Sequence, residues 1–432
     1  MKDRLILFFL ILVLWIFLVV FEVYLDVIPS TLIVLVLIVL YCGILVVSQF
    51  LFKDKIAQAR EKLSEIDYQP SVSVVIPAHN EELVIEETIE CLVKLDYPNY
   101  KILVVDDRSK DNTAQKVQAL VEKYKDRVQL HSRPDDAFPG KSAVLNDALE
   151  LTDGEVLCIF DADAKVEPDF LTKIVPYLVE EKTAAVQARK VIINKYTGYL
   201  TRVQHYEYSM DSNIQMGRDS IKAAVELRGN GELIKRSAIK AVGGWNLYTL
   251  TDDLDTSTKL YVEGFNIRFC PDVVVNEEAS PDFKSIVKQR KRWAEGSIRR
   301  YLDYSDRILT SKHLSKKISL DMIAYFLEFV LPVWLISDVL IQIVSMMFGR
   351  PFDFIQYIMV LAAIGLFFVS LLFLSIRKLE KYSIFESLKW SIGTAFFVIV
   401  LWTIVVILVV TKIIFSKRDM KWYKTDRVGV KI

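Results

Sequence analysis

Four short runs carry side chains able to do chemistry. Asp106 and Asp107 close KILVVDDRS (101–109), and Asp161 and Asp163 close EVLCIFDADA (155–164). Each pair ends an apolar stretch, which places it at the end of a buried strand. Two carboxylates at one strand end repel each other unless a cation lies between them. Oxygen ligands beside a diphosphate suit a hard ion, Mg2+ or Mn2+; a solvated loop or a helix cap is the plainer account of a lone Asp-x-Asp. LTDDLDTSTKL (250–260) puts Asp252, Asp253 and Asp255 in the first turns of a helix with Thr251 as N-cap. Acids there favour the helix dipole, or one of them stays ionised and accepts a proton as a general base. KQRKRWAEGSIRR (288–300) is a basic run in a chain of formal net charge +0. Gln289, Arg292 and Trp293 share one helix face by i, i+3, i+4 spacing. Either the run aims cations at an anionic substrate or it is a solvated face on a membrane. Lys284, Lys288, Arg299 and Arg300 take the second role, contacting lipid headgroups.

These residues need elements to hold them. A β-rich run at 72–76 is stopped by Pro77, and a helical stretch follows at 83–95. The strand before Asp106 comes next, then a helix from an Asp111 N-cap to Lys123. A third strand at 128–131, a helix at 140–151 and the strand before Asp161 complete the series. Strands alternating with helices predict an α/β domain with a mostly parallel sheet. Ligands of such sheets sit at the carboxyl ends of strands, where the acids are. Two phosphate-loop motifs fail. FPGKS (138–142) would need a glycine at Asp135, and RGNGEL (228–233) has too few glycines for a dinucleotide fingerprint and follows no first strand.

The chain is 52% hydrophobic yet 25% charged, with mean hydropathy +0.29. Residues 5–21 and 31–52 are uncharged and long enough to cross the ~30 Å hydrocarbon layer. The first is too long for a cleavable signal peptide, and a second span follows at once. Residues 53–310 are polar and read as one domain, and the chain turns apolar again from Ile318. Lys2 and Arg4 precede the hairpin, while Lys53, Lys55, Arg60 and Lys62 follow it. The loop at 22–30 lacks such a bias, so the polar domain faces the cytoplasm of a multi-pass plasma-membrane protein. Asp321, Glu328, Pro332 and Asp338 make 319–344 a poor simple span, and interfacial or re-entrant helices are expected across 311–347. Clean spans at 354–376 and 390–410 lie within a C-terminal unit of 348–432. Four spans then leave the basic tail SKRDMKWYKTDR (416–427) in the cytoplasm. Cys42, Cys91, Cys158 and Cys270 form no pairing pattern and suit a reducing compartment. The four histidines leave little for a zinc site, and the local basic charge gives no reason to expect nucleic acid as a partner.

PAHNEE, VVDDRS, GKSAVLNDAL, FDADA, LTDDLD and QRKRW occur in the order and approximate spacing of the inverting membrane glycosyltransferases of family 2. That large family includes the cellulose, hyaluronan and poly-N-acetylglucosamine synthases. The resemblance covers about residues 70–300 and implies a GT-A fold, a UDP-sugar donor and Mg2+ or Mn2+. Through ELRGNGELIKRSAI (226–239), GGWNLYTLTDDLDTSTKL (243–260) and QRKRWAEGSIRRYLDY (289–304), the chain is also similar to cyanobacterial-type monoglucosyldiacylglycerol synthases. Carried over position by position, Pro77, Ala78, His79, Asn80 and Glu81, with Asp106 and Asp107, hold uridine and ribose. Lys141 lies near the nucleotide. Asp161 meets the donor sugar or ribose, and Asp163 ligates the metal. Asp253 is the base and Asp252 its neighbour in the motif. Arg292 steadies the leaving UDP beside Gln289, and Trp293 walls the acceptor. The implied product is a β-glycolipid on an acceptor such as diacylglycerol. The QxxRW pattern keeps a processive β-polysaccharide synthase, of poly-N-acetylglucosamine or glucan type, as the alternative. A non-catalytic nucleotide-sugar sensor is a third reading, against which the intact acids argue.

Overall fold

The computed structural model describes residues 2–24, 30–349 and 354–416. Three helices open the chain: α1 (Lys2–Tyr24), α2 (Ser30–Leu51) and α3 (Lys53–Ser64). The expected alternation follows as β1 (Val72–Ala78), α4 (Ile85–Leu92), β2 (Tyr100–Asp106), α5 (Thr113–Lys123), β3 (Val128–Ser132), α6 (Lys141–Leu151) and β4 (Val156–Ile159). Then come β5 (Lys165–Val166), α7 (Phe170–Ile174), β6 (Thr183–Ile192), α8 (Tyr199–Ser220), β7 (Glu232–Lys235), α9 (Arg236–Ala241), α10 (Asp252–Val262) and β8 (Asn266–Glu277). Four long helices finish it: α11 (Phe283–Thr310), α12 (Lys316–Met346), α13 (Phe354–Leu379) and α14 (Ile384–Phe415).

The eight strands form one sheet in the order β3-β2-β1-β4-β7-β6-β8-β5. β1 runs parallel to β2 and β4, and β2 parallel to β3. β7 lies antiparallel between β4 and β6, so the sheet is mixed rather than all parallel. Both faces are buried, which is why the strands read as apolar runs. Val74, Ile76, Val104 and Cys158 join the core on one face, and Val75, Leu103, Val105 and Leu157 join the core on the other. That period of two is the pleat itself. The N-cap of α5 is Asn112 rather than the expected Asp111, although Asp111 Oδ1 accepts from the Thr113 amide at 3.0 Å and so satisfies a donor at the helix start.

The region expected as interfacial or re-entrant helices is one continuous helix, α12, with Pro332 inside it. Its acids do not face lipid. Asp321 pairs with Arg218 at 3.3 Å and accepts from Tyr41 and the Ala224 amide, while Asp338 accepts from Thr31 at 2.6 Å. Pairing removes most of the penalty that argued against a span. Among the described residues, four helices are long and apolar enough to cross a membrane: 31–51, Lys316–Met346, Phe354–Leu379 and Ile384–Phe415. The apolar stretch Leu5–Val20 is shorter. Ile355, Ile358, Met359, Phe396, Ile404 and Leu408 project exposed apolar side chains from α13 and α14, a surface that suits lipid. The basic tail beyond Ser416 and most of the 22–30 loop lie outside the described residues.

Candidate active site

The acids converge at one edge of the sheet because the strands carrying them are neighbours. The turn after β1 and the turn after β2 are sewn together. The Asp107 amide donates to the Ala78 carbonyl at 2.8 Å. Asn80 and Glu81 donate their amides to Ser109 Oγ at 2.8 Å and Thr113 Oγ1 at 2.7 Å. Asn80 and Arg108 both take positive φ, 55° and 60°, an uncommon conformation for side-chain-bearing residues and one found where function fixes the backbone. Asp106 is 3% exposed. Its Oδ2 accepts from the Ser109 amide at 3.3 Å, while its buried Oδ1 has no hydrogen-bond partner. An acceptor left this way costs about 1–3 kcal/mol, and a donor on a ligand would satisfy it.

Asp107 does different work. Arg108 Nε and Arg133 NH1 reach its Oδ1 at 2.9 and 2.7 Å, and the Gly140 amide reaches Oδ2 at 3.2 Å. Burial pushes its carboxyl up, but Arg108, Gly140 and Arg133 outweigh burial and hold it below the usual range. It braces the loop that delivers Lys141.

Lys141 begins α6 and extends into the acids. Its Nζ donates to Asp161 Oδ1 at 2.8 Å and to the Gly229 carbonyl at 2.6 Å. Burial opposes its charge, yet Asp161, Asp252 and Glu232 outweigh burial and hold the ammonium above the ordinary lysine range. Gly229 (φ 74°) brings the RGNGE loop against Asp253: a Cβ there would lie 3.1 Å from Asp253 Oδ2. Asp161, Gly229, Glu232, Asp252 and Asp253 therefore surround one largely buried cation. Asp163 stands beside them, 4% exposed, its Oδ2 accepting from the Glu278 amide at 3.0 Å.

Several members of this site lie in the quoted runs but were not singled out there. Glu232 is fully buried; its Oε2 accepts from the Gly229 amide at 2.9 Å and its Oε1 has no hydrogen-bond partner. Burial, then the charges of Asp253 and Asp252, push it up to about 8. Burial also pushes Asp252 up to about 6, Lys141 pulling the other way. Asn230 holds the chain at Asp161 by accepting from its amide at 3.1 Å, and donates to Glu277 at 3.1 Å. Asn146 of GKSAVLN accepts from the Trp245 amide at 2.8 Å and fixes the loop that leads into α10. The glycines of RGNGE are the one cue available from sequence, since paired glycines mark a backbone approach.

A pH dependence follows. Glu232 titrates near 8 in the fold and near 4.5 ordinarily, so between those values the native state holds the extra proton. Stability should fall as pH rises through that window. Glu226, held near 2 by Arg300, Arg228 and Arg218 against its burial, contributes its change only in more acid solution. Thermal unfolding of the ligand-free protein in detergent should show a midpoint that declines from pH 5 to 8. Glu232→Gln should flatten that decline and raise the midpoint at pH 8.

Helix α11 closes the other side. Arg292 NH1 donates to the Leu250 carbonyl at 3.2 Å, just before Asp252 and Asp253. Gly296 lets the helices meet: a Cβ there would fall 2.5 Å from Thr251 Oγ1 and Cγ2. Thr251 is the N-cap residue of α10 as expected, but its side chain makes no cap hydrogen bond. Arg299 and Arg300, expected at lipid headgroups, are each 2% exposed. Arg299 pairs with Glu295 at 3.0 Å and Arg300 with Glu226 at 2.7 Å. α10, α12 and α14 cover the side of α11 that periodicity left open. Lys284 and Lys288 are exposed.

Comparison with known proteins places this arrangement. The family model for glycosyltransferase like family 2 matches residues 70–296. The β-monoglucosyldiacylglycerol synthase of Trichormus variabilis is 34% identical over 364 residues, covering 83% of this chain and 77% of that protein. Its counterpart in Synechocystis is 37% identical over 277 residues, 63% of this chain and 57% of that one. The structure of the mannosyltransferase PcManGT from Pyrobaculum calidifontis, in complex with GDP-mannose and Mn2+, superimposes with a TM-score of 0.57 at 20% identity. It covers 88% of this chain and 99% of that one, a likeness of fold. With a GT-A sheet, the strand-end acids and apolar helices on both flanks, this chain belongs to glycosyltransferase like family 2.

Proposed function

We propose that this protein transfers a single glucose from UDP-glucose to the free hydroxyl of diacylglycerol, with inversion, giving a β-glucosyl lipid at the membrane surface. One observation carries the reading: α11 belongs at once to the acid site and to the apolar helices. Arg292 and Gly296 fasten it to the start of α10, while Ile286, Ala294, Ile298 and Leu302 pack against Leu401, Val405 and Val409 of α14. A lipid hydroxyl can then reach Asp253 while its acyl chains stay in apolar surroundings. The names of the cyanobacterial relatives point to the same acceptor. Residues 53–310 form the cytoplasmic catalytic domain in this reading, and the flanking helices hold it at a plasma membrane.

The roles follow from position. Pro77, Ala78, Asn80, Glu81 and Asp106 bind the nucleoside, with Asp107 bracing their loop. Asp253 takes the acceptor's proton as its oxygen attacks the anomeric carbon and UDP departs from the opposite side, which inverts an α-linked donor to a β-glycoside. Arg292 faces the charge developing on UDP; a fixed cation needs no reorganisation during the reaction. Asp161 and Asp163 would hold Mg2+ or Mn2+, which would offset the diphosphate's charge. The residues fit such an ion. Their donors are hard oxygens, and Asp161 is already drawn to a cation, Lys141.

Excess EDTA should therefore abolish transfer, Mg2+ or Mn2+ should restore it, and Asp163→Ala should lose both activity and metal-dependent UDP binding. Full activity in EDTA contradicts the assignment. The QxxRW pattern favours the second reading, a processive polysaccharide synthase. Radiolabelled UDP-sugar with membranes separates the readings: label in the organic phase marks a glycolipid, polymer marks the synthase, and no incorporation marks a sensor.

A further inference from the structure

Arg290 lies inside QRKRW yet points away from the face that Arg292 presents to α10. It is fully buried. Its NH2 donates to Glu207 Oε2 at 2.5 Å and its Nε to Glu207 Oε1 at 3.3 Å. Its NH1 donates to the side chain of Gln289 at 2.6 Å, and the guanidinium sits 4.1 Å from the centroid of the Trp293 ring. Glu207 belongs to α8 and is 8% exposed. Its Oε1 also accepts from the indole N–H of Trp402, on α14, at 2.8 Å. One buried carboxylate thus joins three helices, and one guanidinium orients both neighbours of Arg292 in the motif.

We infer that Glu207 and Arg290 are positioning residues: they fix Gln289 and Trp293 beside the acceptor and tie that geometry to the apolar helix α14 through Trp402. The inference rests on the reading above, in which Gln289 and Trp293 flank the acceptor. A buried ion pair is weak evidence for stability, because desolvation offsets most of its attraction. Its use here is orientation. A planar guanidinium grips a carboxylate with two N–H groups, donates a third to an amide oxygen, and stacks on an indole, which an ammonium cannot do. Neither residue is placed to touch the donor, so their loss should act on turnover rather than on nucleotide binding.

The test uses the full-length protein in detergent micelles with diacylglycerol and UDP-glucose. Glu207→Gln keeps the shape and an acceptor for Trp402 but removes the ion pair. Arg290→Lys keeps the charge but loses the fork and the stack. Each should lower kcat by roughly 10- to 100-fold, the scale of a small misplacement of reacting groups, while KM for UDP-glucose stays within about threefold of the parent. Glu207→Asp should recover part of the loss. Combining Glu207→Gln with Trp293→Phe should cost little more than the worse single change, because both act through one geometry. Should Glu207→Gln fail to fold, Trp402→Phe, which deletes one N–H and leaves the pair intact, should still lower kcat with KM unmoved.

Parental kcat in folded Glu207→Gln or, in its stead, Trp402→Phe, alongside an impaired Trp293→Phe, overturns the inference alone. Fully multiplicative losses in the double variant overturn it as well. Parental kcat in Trp293→Phe itself overturns the reading on which the inference stands.

Discussion

Asp253→Asn should reduce sugar transfer by about 10²- to 10⁴-fold, the usual contribution of a general base, with UDP-sugar affinity within a few-fold of the parent. The substitution keeps size and local hydrogen bonding. Asp253 Oδ1 accepts from the Leu254 amide at 2.8 Å, and an asparagine oxygen can replace it there. Proton acceptance is what it cannot replace. Asp253 Oδ2 is directed toward Gly229, whose missing side chain leaves the space in front of it. Asp252 is the competing candidate, but burial holds it up near 6 and its Oδ2 is enclosed without a hydrogen-bond partner. Asp252→Asn should therefore be the milder change. Single-turnover rates beside equilibrium UDP binding rank the two acids. A larger loss in Asp252→Asn would move the base to that residue.

Lys141→Met should have the largest combined effect on folding and transfer. The methionine keeps the apolar stem and deletes the one cation bonded between Asp161 and the Gly229 carbonyl. Removing one partner from a buried charge set typically costs 3–5 kcal/mol, because the remaining charge is left uncompensated. Here Asp161 and Asp252 lose the charge that offsets them, while Glu232, pushed up to about 8 even with Lys141 present, loses the cation that opposes that rise. The unfolding midpoint of the ligand-free protein should drop sharply, and saturating Mn2+ should restore part of it, since an ion bound only to the native state stabilises that state. Transfer should remain at least about 10²-fold down, because in the proposed reading the ammonium also faces the nucleotide. An unchanged midpoint would mean that Lys141 does not balance these acids.

The parts of this site that could be read from sequence are those with a local signature. Asp106, Asp107, Asp161 and Asp163 announce themselves because a strand buried on both faces must be apolar until it reaches the ligand end. The start of α10 was marked by acids after Thr251. Glu232 and Gln187 were not marked, being polar residues within strands; Gln187, in β6, accepts from the amide of Arg228 in the loop before β7 at 2.7 Å, a contact that only the tertiary fold creates. The antiparallel insertion of β7 was hidden for a similar reason, since a strand of four residues, Glu232–Lys235, carries no direction. Helical periodicity put Gln289, Arg292 and Trp293 on one face but did not say what covers the others. Arg299 and Arg300 consequently read as surface charges and are buried ones, and Arg290, which drew no reading of its own, is buried too. The same limit applies to α12. Its acids looked too costly for one continuous helix until Arg218, Tyr41 and Thr31 came from other elements to meet them.

The most direct test of the central claim is the structure of the product. Purified full-length protein, given UDP-glucose, diacylglycerol and Mg2+ or Mn2+, should yield one new lipid, identified by mass spectrometry as carrying a single hexose and by proton NMR as having a β-anomeric linkage. A ladder of added sugars, or polymer formed without a lipid acceptor, would contradict the account and assign the site to a polysaccharide synthase.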